Sequence, residues 1–153
     1  MSERIPLVYL VPLRILCGLI LVIEGWGKLQ GDWLHGTPLV TSLSGWMAGG
    51  KPYGFFLPVV KMAFAHPKIF GSLVTLGELT IGLSLLLGLL TRISAALGAL
   101  MLFSFALGAG QGLAPPGNAL LMGVLCVLFV VAPPGRAFGI DVVLRDRMPR
   151  WMV

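Results

Sequence analysis

Four ionisable residues interrupt runs that are otherwise apolar. Arg14, Glu24 and Lys28 fall within or at the edge of RILCGLILVIEGWGKL, residues 14–29, and Glu78 falls within GELTIGLSLLLGLLTR, residues 77–92. On a helix, Arg14, Cys17, Leu21, Glu24 and Lys28 recur at steps of three and four residues, so the polar groups share one stripe. An ionised side chain in hydrocarbon is costly unless it is paired or solvated by protein, so that stripe is expected to face protein. At about 1.5 Å per residue, Arg14 falls roughly 10 Å in from one membrane face and Glu78 roughly 13 Å in from the other. In a core of about 30 Å this leaves an axial offset of about 6 Å, within reach of an arginine side chain. Arg14 is therefore the expected partner of Glu78, and Glu24 meets Lys28 at i+4.

Two readings of these charges follow. An Arg14–Glu78 pair serves to fix helix register, since mutual neutralisation is the cheapest way to keep both in a span. Alternatively, Glu24, Trp26, Lys28 and Glu78 form a polar site for a ligand, a proton or a quinone head group, the usual use of ionisable residues inside membranes. Trp26 taken alone reads as an interface anchor.

Other chemistry is sparse. Cys17 and Cys126 lie in apolar runs near mid-bilayer and read as packing residues, with a redox pair as the alternative. His35 and His66 lack the spacing of a zinc or haem site, so no metal is expected. Nucleotide-binding loops, nucleophile elbows and metalloprotease motifs are absent from the sequence.

The elements that must hold these residues follow from composition. With 57% hydrophobic and 11% charged residues, the 153-residue chain has too little polar surface to cover a water-soluble globule. Four stretches approach the roughly 20 residues that cross a bilayer: residues 7–26, 69–90, 92–108 and 115–132. The expectation is an all-α integral membrane four-helix bundle forming a single domain over residues 1–153. The first span is read as retained, because Arg14 interrupts it and no small-x-small cleavage site follows. A long extramembrane link, Lys28 to Lys68, separates the first two spans. Within it Leu39, Leu43, Trp46 and Met47 follow i, i+4, i+7, i+8, which predicts a short interfacial helix over 38–48, and a second is expected over 55–65. Pro67 suits the start of the second span, and Thr91 suits the N-cap of the third.

Small residues suggest how the spans pack. Gly77, Thr80, Ser84 and Gly88 line one face of the second span, while Gly71, Thr75 and Gly82 join Glu78 on another, as expected of a central helix. Arg4, Arg92, Arg136, Arg145, Arg147 and Arg150 fall on one side of a four-span topology, which places both termini in the cytoplasm. The net charge of +5 then reads as a topology signal and an attraction to anionic lipid. Nucleic-acid binding is not expected, because "RDRMPR" beside the membrane is the only basic cluster.

The stretch RILCGLILVIEGWGKL with its long following loop, then GELTIGLSLLLGLLTRISAALGAL at 77–100, then PPGRAFGID at 133–141, resembles the DoxX family over nearly the whole chain. The most specific part is the acidic residue followed by an apolar run ending in GLLTR; the closing GR and GID are also typical. The resemblance implies a four-helix protein of the bacterial inner membrane related to the DoxD subunit of thiosulfate:quinone oxidoreductase, with some members associated with larger redox complexes. The expected function is an accessory or anchoring subunit of a membrane redox complex that binds no cofactor by itself. The alternative is a membrane subunit of a quinone-linked oxidoreductase that contributes a quinone and proton site. A transporter is disfavoured, since no inverted repeat or pair of broken helices is evident.

Overall fold

A computed structural model describes residues 7–50, 52–110 and 118–144, and every regular element among them is helical. A 3₁₀ turn, Leu7–Leu10, leads into α1, Val11–Gln30. The first link carries a 3₁₀ turn at Trp33–His35, α2 at Thr37–Gly45, a wide turn at Trp46–Gly50 and α3 at Leu57–Ala65. There follow α4, Pro67–Leu87, α5, Thr91–Gly108, and α6, Asn118–Val131. A short α7, Asp141–Leu144, closes the described chain. Proline stands in the first turn of α1, α2, α3 and α4, where its missing N–H would have had no intrahelical partner.

Three segments are long and apolar enough to cross a membrane: Leu7–Gln30, Pro67–Leu87 and Thr91–Gly108. α6 is apolar but shorter, and the first residues of the expected fourth span lie outside the described residues, as do Arg4, Lys51, Arg145, Arg147 and Arg150. Large apolar side chains cover the outside of these helices, among them Leu16, Ile23, Leu73, Leu100 and Val131. In water such a surface would drive aggregation; against acyl chains it is the natural exterior. The chain is an integral membrane protein.

Packing builds two helix pairs. α1 runs antiparallel to α4, with Gly18 against Gly82 and Leu86, and Gly25 against Glu78 and Leu79. A Cβ on Gly18 would stand 2.8 Å from the Gly82 carbonyl oxygen, so only hydrogen fits where the two backbones meet. α5 packs on α6, where Gly123 lies beneath the Phe103 ring. The pairs meet in a seam filled by Cys17, Leu21, Leu85, Leu102, Cys126 and Phe129. A second, smaller cluster joins α2 and α3 through Leu39, Leu43, Val60 and Ala63, with Phe70 of α4 packed against it. Of the predicted interfacial stripe, Leu39 and Leu43 are buried, whereas Met47 is exposed. α4 touches α1, α5, the Trp33 turn, α2 and α3, as expected of the central helix.

The three motif fragments converge at the other end of the molecule. α4 stops at Gly88, whose φ of 65° is left-handed, and Leu90 also adopts positive φ before α5 begins. Thr91 does not cap α5: it is the helix's first residue, and its hydroxyl has no hydrogen-bond partner. The cap is Asp141, fully buried, whose carboxylate accepts from the Leu90 N–H at 2.6 Å and the Thr91 N–H at 2.9 Å. Asp141 also donates its own N–H to the Gly88 carbonyl, and Ile140 donates to Leu87. GLLTR and GID are thus two halves of one turn, closed by a long-range cap that replaces the local one.

Candidate polar site in the membrane

Arg14 belongs to that turn. Its side chain is buried, with Nη1 donating to the Phe138 carbonyl at 2.6 Å and Nη2 reaching the Leu86 carbonyl at 3.4 Å, while Nε is buried without a partner. Asp141 is its electrostatic partner. The expected Arg14–Glu78 pair is therefore not formed. The cause is helix register. The Gly18–Gly82 and Gly25–Glu78 contacts set Arg14 level with the end of α4 and Glu78 level with Gly25, and eleven residues of α1 span about 16 Å. α1 also continues past Trp26 to Gln30, which carries Lys28 to the level where Glu78 needs a cation.

Lys28 is the residue that neutralises Glu78. Its Nζ lies 2.7 Å from Glu78 Oε2 and donates a hydrogen bond to Oε1 at 2.9 Å. Oε2, although the closer atom, is buried without an aligned hydrogen bond. Glu24 Oε2 lies 3.5 Å from the same ammonium, giving the i, i+4 contact expected from sequence. The three side chains differ in setting: Glu78 is 4% exposed, Lys28 16% and Glu24 63%. They form a chain of charge from the buried face of α4 to the protein surface. Burying the inner carboxylate is affordable only with such a partner, and removing that partner would leave an uncompensated charge.

The local chain path explains a participant that sequence reasoning missed. The Lys28 ammonium stands 5.4 Å from the centre of the Trp33 ring, within cation–π range. Trp33 is held there by the 3₁₀ turn after α1. Gly36, at φ 87°, reverses the chain directly against Pro67 and Lys68, while Gly71 receives the Trp33 carbonyl against bare backbone. Only the glycines at 36 and 71 hinted at this close approach. Trp26, by contrast, is 55% exposed on the outer face of α1 and does not join the site.

Glu24, Lys28 and Glu78 are the ionisable residues lining a cavity of about 520 Å³ whose walls also include Leu21, Val74, Leu102 and Met122. It opens within the seam between the two helix pairs. Its volume, apolar walls and few convergent polar groups have the character of a small-molecule site. A neighbouring apolar cavity of about 370 Å³ shares Leu39, Trp46, Val74 and Phe105 as lining residues. Elsewhere, His35 Nδ1 contacts Asp32 on the exposed turn, and the two cysteines, 109 residues apart, meet with their sulfurs 4.0 Å apart.

Comparison with curated proteins and with solved structures returned no match. A family model, that of DoxX, matches residues 9–111, a stretch that contains α1, α4, α5 and all of Glu24, Lys28, Trp33 and Glu78. On that match, which covers more than half of its length, the chain belongs to the DoxX family.

Proposed function

We propose that the chain is an accessory membrane subunit of a larger redox complex, and that its own contribution is a quinone head-group site at Lys28 and Glu78. The observation that carries this reading is that Lys28 and Glu78, joined as an ion pair, both line one apolar-walled cavity of about 520 Å³. A carboxylate is an acceptor suited to a hydroxyl, and the adjacent ammonium is a donor suited to a carbonyl; a quinone and its quinol present these two groups in turn. Reduction takes two electrons and two protons. In this reading the electrons of sustained turnover come from a partner. The protons enter from the surface at Glu24 and pass along Lys28 to Glu78, within the distances of 3.5 and 2.7 Å. Trp33, 5.4 Å from the ammonium, helps to hold it.

The whole chain serves this site as one domain, residues 1–153, with α1, α4, α5 and α6 as the four spans of a bundle in the bacterial inner membrane. Both termini are cytoplasmic, and α2 and α3 lie at the outer interface over the cavity mouth.

Mild-detergent purification followed by identification of co-purifying chains tests the first part: a redox partner is expected, and a stable lone bundle contradicts it. For the second part, Glu24→Gln is expected to reduce quinone-coupled turnover of the assembled complex without loss of assembly. Leu43 and Trp46 are poor probes of partner contact, because Leu43 is buried within this chain and Trp46 lines both cavities. Phe55, 73% exposed, is the better choice, and Phe55→Asp is expected to release the partner while leaving the lone subunit folded.

A further inference from the structure

Cys17 on α1 and Cys126 on α6 are free thiols, 1% and 0% exposed, with nothing between their sulfurs at 4.0 Å. Their position is specific. α1 packs mainly on α4, and α6 mainly on α5, so this contact is a bridge across the seam that separates the pairs. Cys17 lies one turn from Leu21 and Cys126 one turn from Met122, and both of those residues line the cavity above. Gly98 of α5 leaves room beside the Cys126 sulfur: a Cβ there would stand 3.3 Å from it.

We infer that Cys17 and Cys126 form a redox-active dithiol that closes to a disulfide across the seam, with a lipid-phase quinone as its two-electron acceptor. A disulfide bond is about 2.05 Å long, so closure needs an approach of about 1 Å from each side through side-chain rotation and a small helix shift. The balance is complete: each thiol gives up its hydrogen, one S–S bond forms, and two electrons and two protons convert the quinone to the quinol. The setting selects the acceptor. Both cysteines are buried in one apolar cluster with Leu21, Leu85, Ala95, Ala99 and Phe129, so charged or strongly hydrated oxidants such as glutathione disulfide are disfavoured there. An uncharged, membrane-soluble acceptor can enter the cavity, whose lining at Leu21 and Met122 lies one helical turn from the sulfurs, and reaches them as the two pairs part. The disulfide would tie α1 to α6 one turn from the cavity lining, so the oxidised form holds the two pairs at a fixed separation while the reduced form leaves them free to part.

The inference rests on the quinone reading for the acceptor's route, and the experiment separates the two. Reduced protein in mild detergent is treated anaerobically with a fully ring-substituted benzoquinone, which resists thiol addition. It is then denatured, labelled with a maleimide and weighed intact. The expected product has lost two hydrogens, carries no maleimide, is restored to two labelled thiols by dithiothreitol, and forms with one equivalent of quinol. Cys17→Ala and Cys126→Ala should each abolish quinol formation. Two labelled thiols in quinone-treated wild type, a mass gain equal to the quinone, or continued quinol formation by Cys126→Ala would each overturn the inference; the first two need no variant to fold. If the head-group reading alone fails, Glu78→Gln binds quinone as wild type does and the thiols still close. If this inference alone fails, Glu78→Gln weakens quinone binding and the thiols of the wild type stay free.

Discussion

Replacing Asp141 with alanine should destabilise the protein more than any other single change outside the spans. The carboxylate accepts two backbone N–H groups, from Leu90 and Thr91, at 2.6 and 2.9 Å, and is fully buried. Hydrogen bonds to a charged group contribute about 1.5–3 kcal/mol each, and the donors left behind are buried at the start of α5 where no helical carbonyl can take them. The expected loss is therefore about 3–6 kcal/mol, a large part of the stability of a typical domain. Arg14 also loses its anionic neighbour, which adds to the loss. Asp141→Asn keeps one acceptor oxygen and the side chain's shape, so it should lose about half as much. Thr91→Val removes a hydroxyl that has no hydrogen-bond partner and should cost under about 1 kcal/mol. Equilibrium unfolding in mixed detergent micelles with increasing sodium dodecyl sulfate reads these differences directly. An Asp141→Ala variant within about 1 kcal/mol of wild type, or a Thr91→Val variant that loses more than Asp141→Ala, would refute the assignment of the cap.

The remaining predictions address register, pairing and topology. Gly82→Leu forces a side chain into the Gly18 carbonyl and Val22, and should part α1 from α4 at a cost of about 2 kcal/mol or more, seen as a lowered melting temperature. In a double-mutant cycle, Lys28→Met and Glu78→Gln should each destabilise more than the two combined, with a coupling of about 2 kcal/mol; the same cycle between Arg14→Met and Glu78→Gln should show none. Cysteine labels at positions 2 and 152 in an otherwise cysteine-free variant should react with an impermeant maleimide only after the membrane is permeabilised.

Three of the four expected spans were legible because a bilayer demands long apolar runs, and the chain has too little charge to hide them; the fourth answers to a shorter apolar helix, α6, among the described residues. The stripe of Arg14, Cys17, Leu21, Glu24 and Lys28 was legible in large part for a similar reason: helical period decides which residues share a face, and the structure turns four of them inward but leaves Glu24, near the end of α1, 63% exposed. Which partner each charge takes was not legible. That depends on how far α1 slides along α4, and the slide is set by glycine contacts at 18, 25 and 82 whose Å-scale fit no periodicity records. The Arg14 assignment failed by that slide, and by ending the first span at Trp26 rather than Gln30. Thr91 was misread because N-caps are usually local, whereas Asp141 lies 50 residues away. Trp33 and the Cys17–Cys126 contact were hidden for the same reason: both depend on tertiary approach and not on spacing. The family fragments GLLTR and GID could be recognised in sequence, but only their meeting at Asp141 gives them a physical role.

The central claim is that the Lys28–Glu78 pair receives a quinone head group, and a binding titration tests it most directly. The purified protein in mild detergent is titrated with a ring-substituted benzoquinone, and the bound ligand is located by a photoreactive analogue. Loss of one hydrogen bond to a charged group corresponds to roughly a ten- to hundredfold change in Kd. Glu78→Gln should raise Kd by that factor, and the analogue should label cavity residues such as Leu21, Val74 or Met122. Equal Kd values for wild type and Glu78→Gln, with labelling confined to lipid-facing residues such as Ile23 and Trp26, would contradict the account.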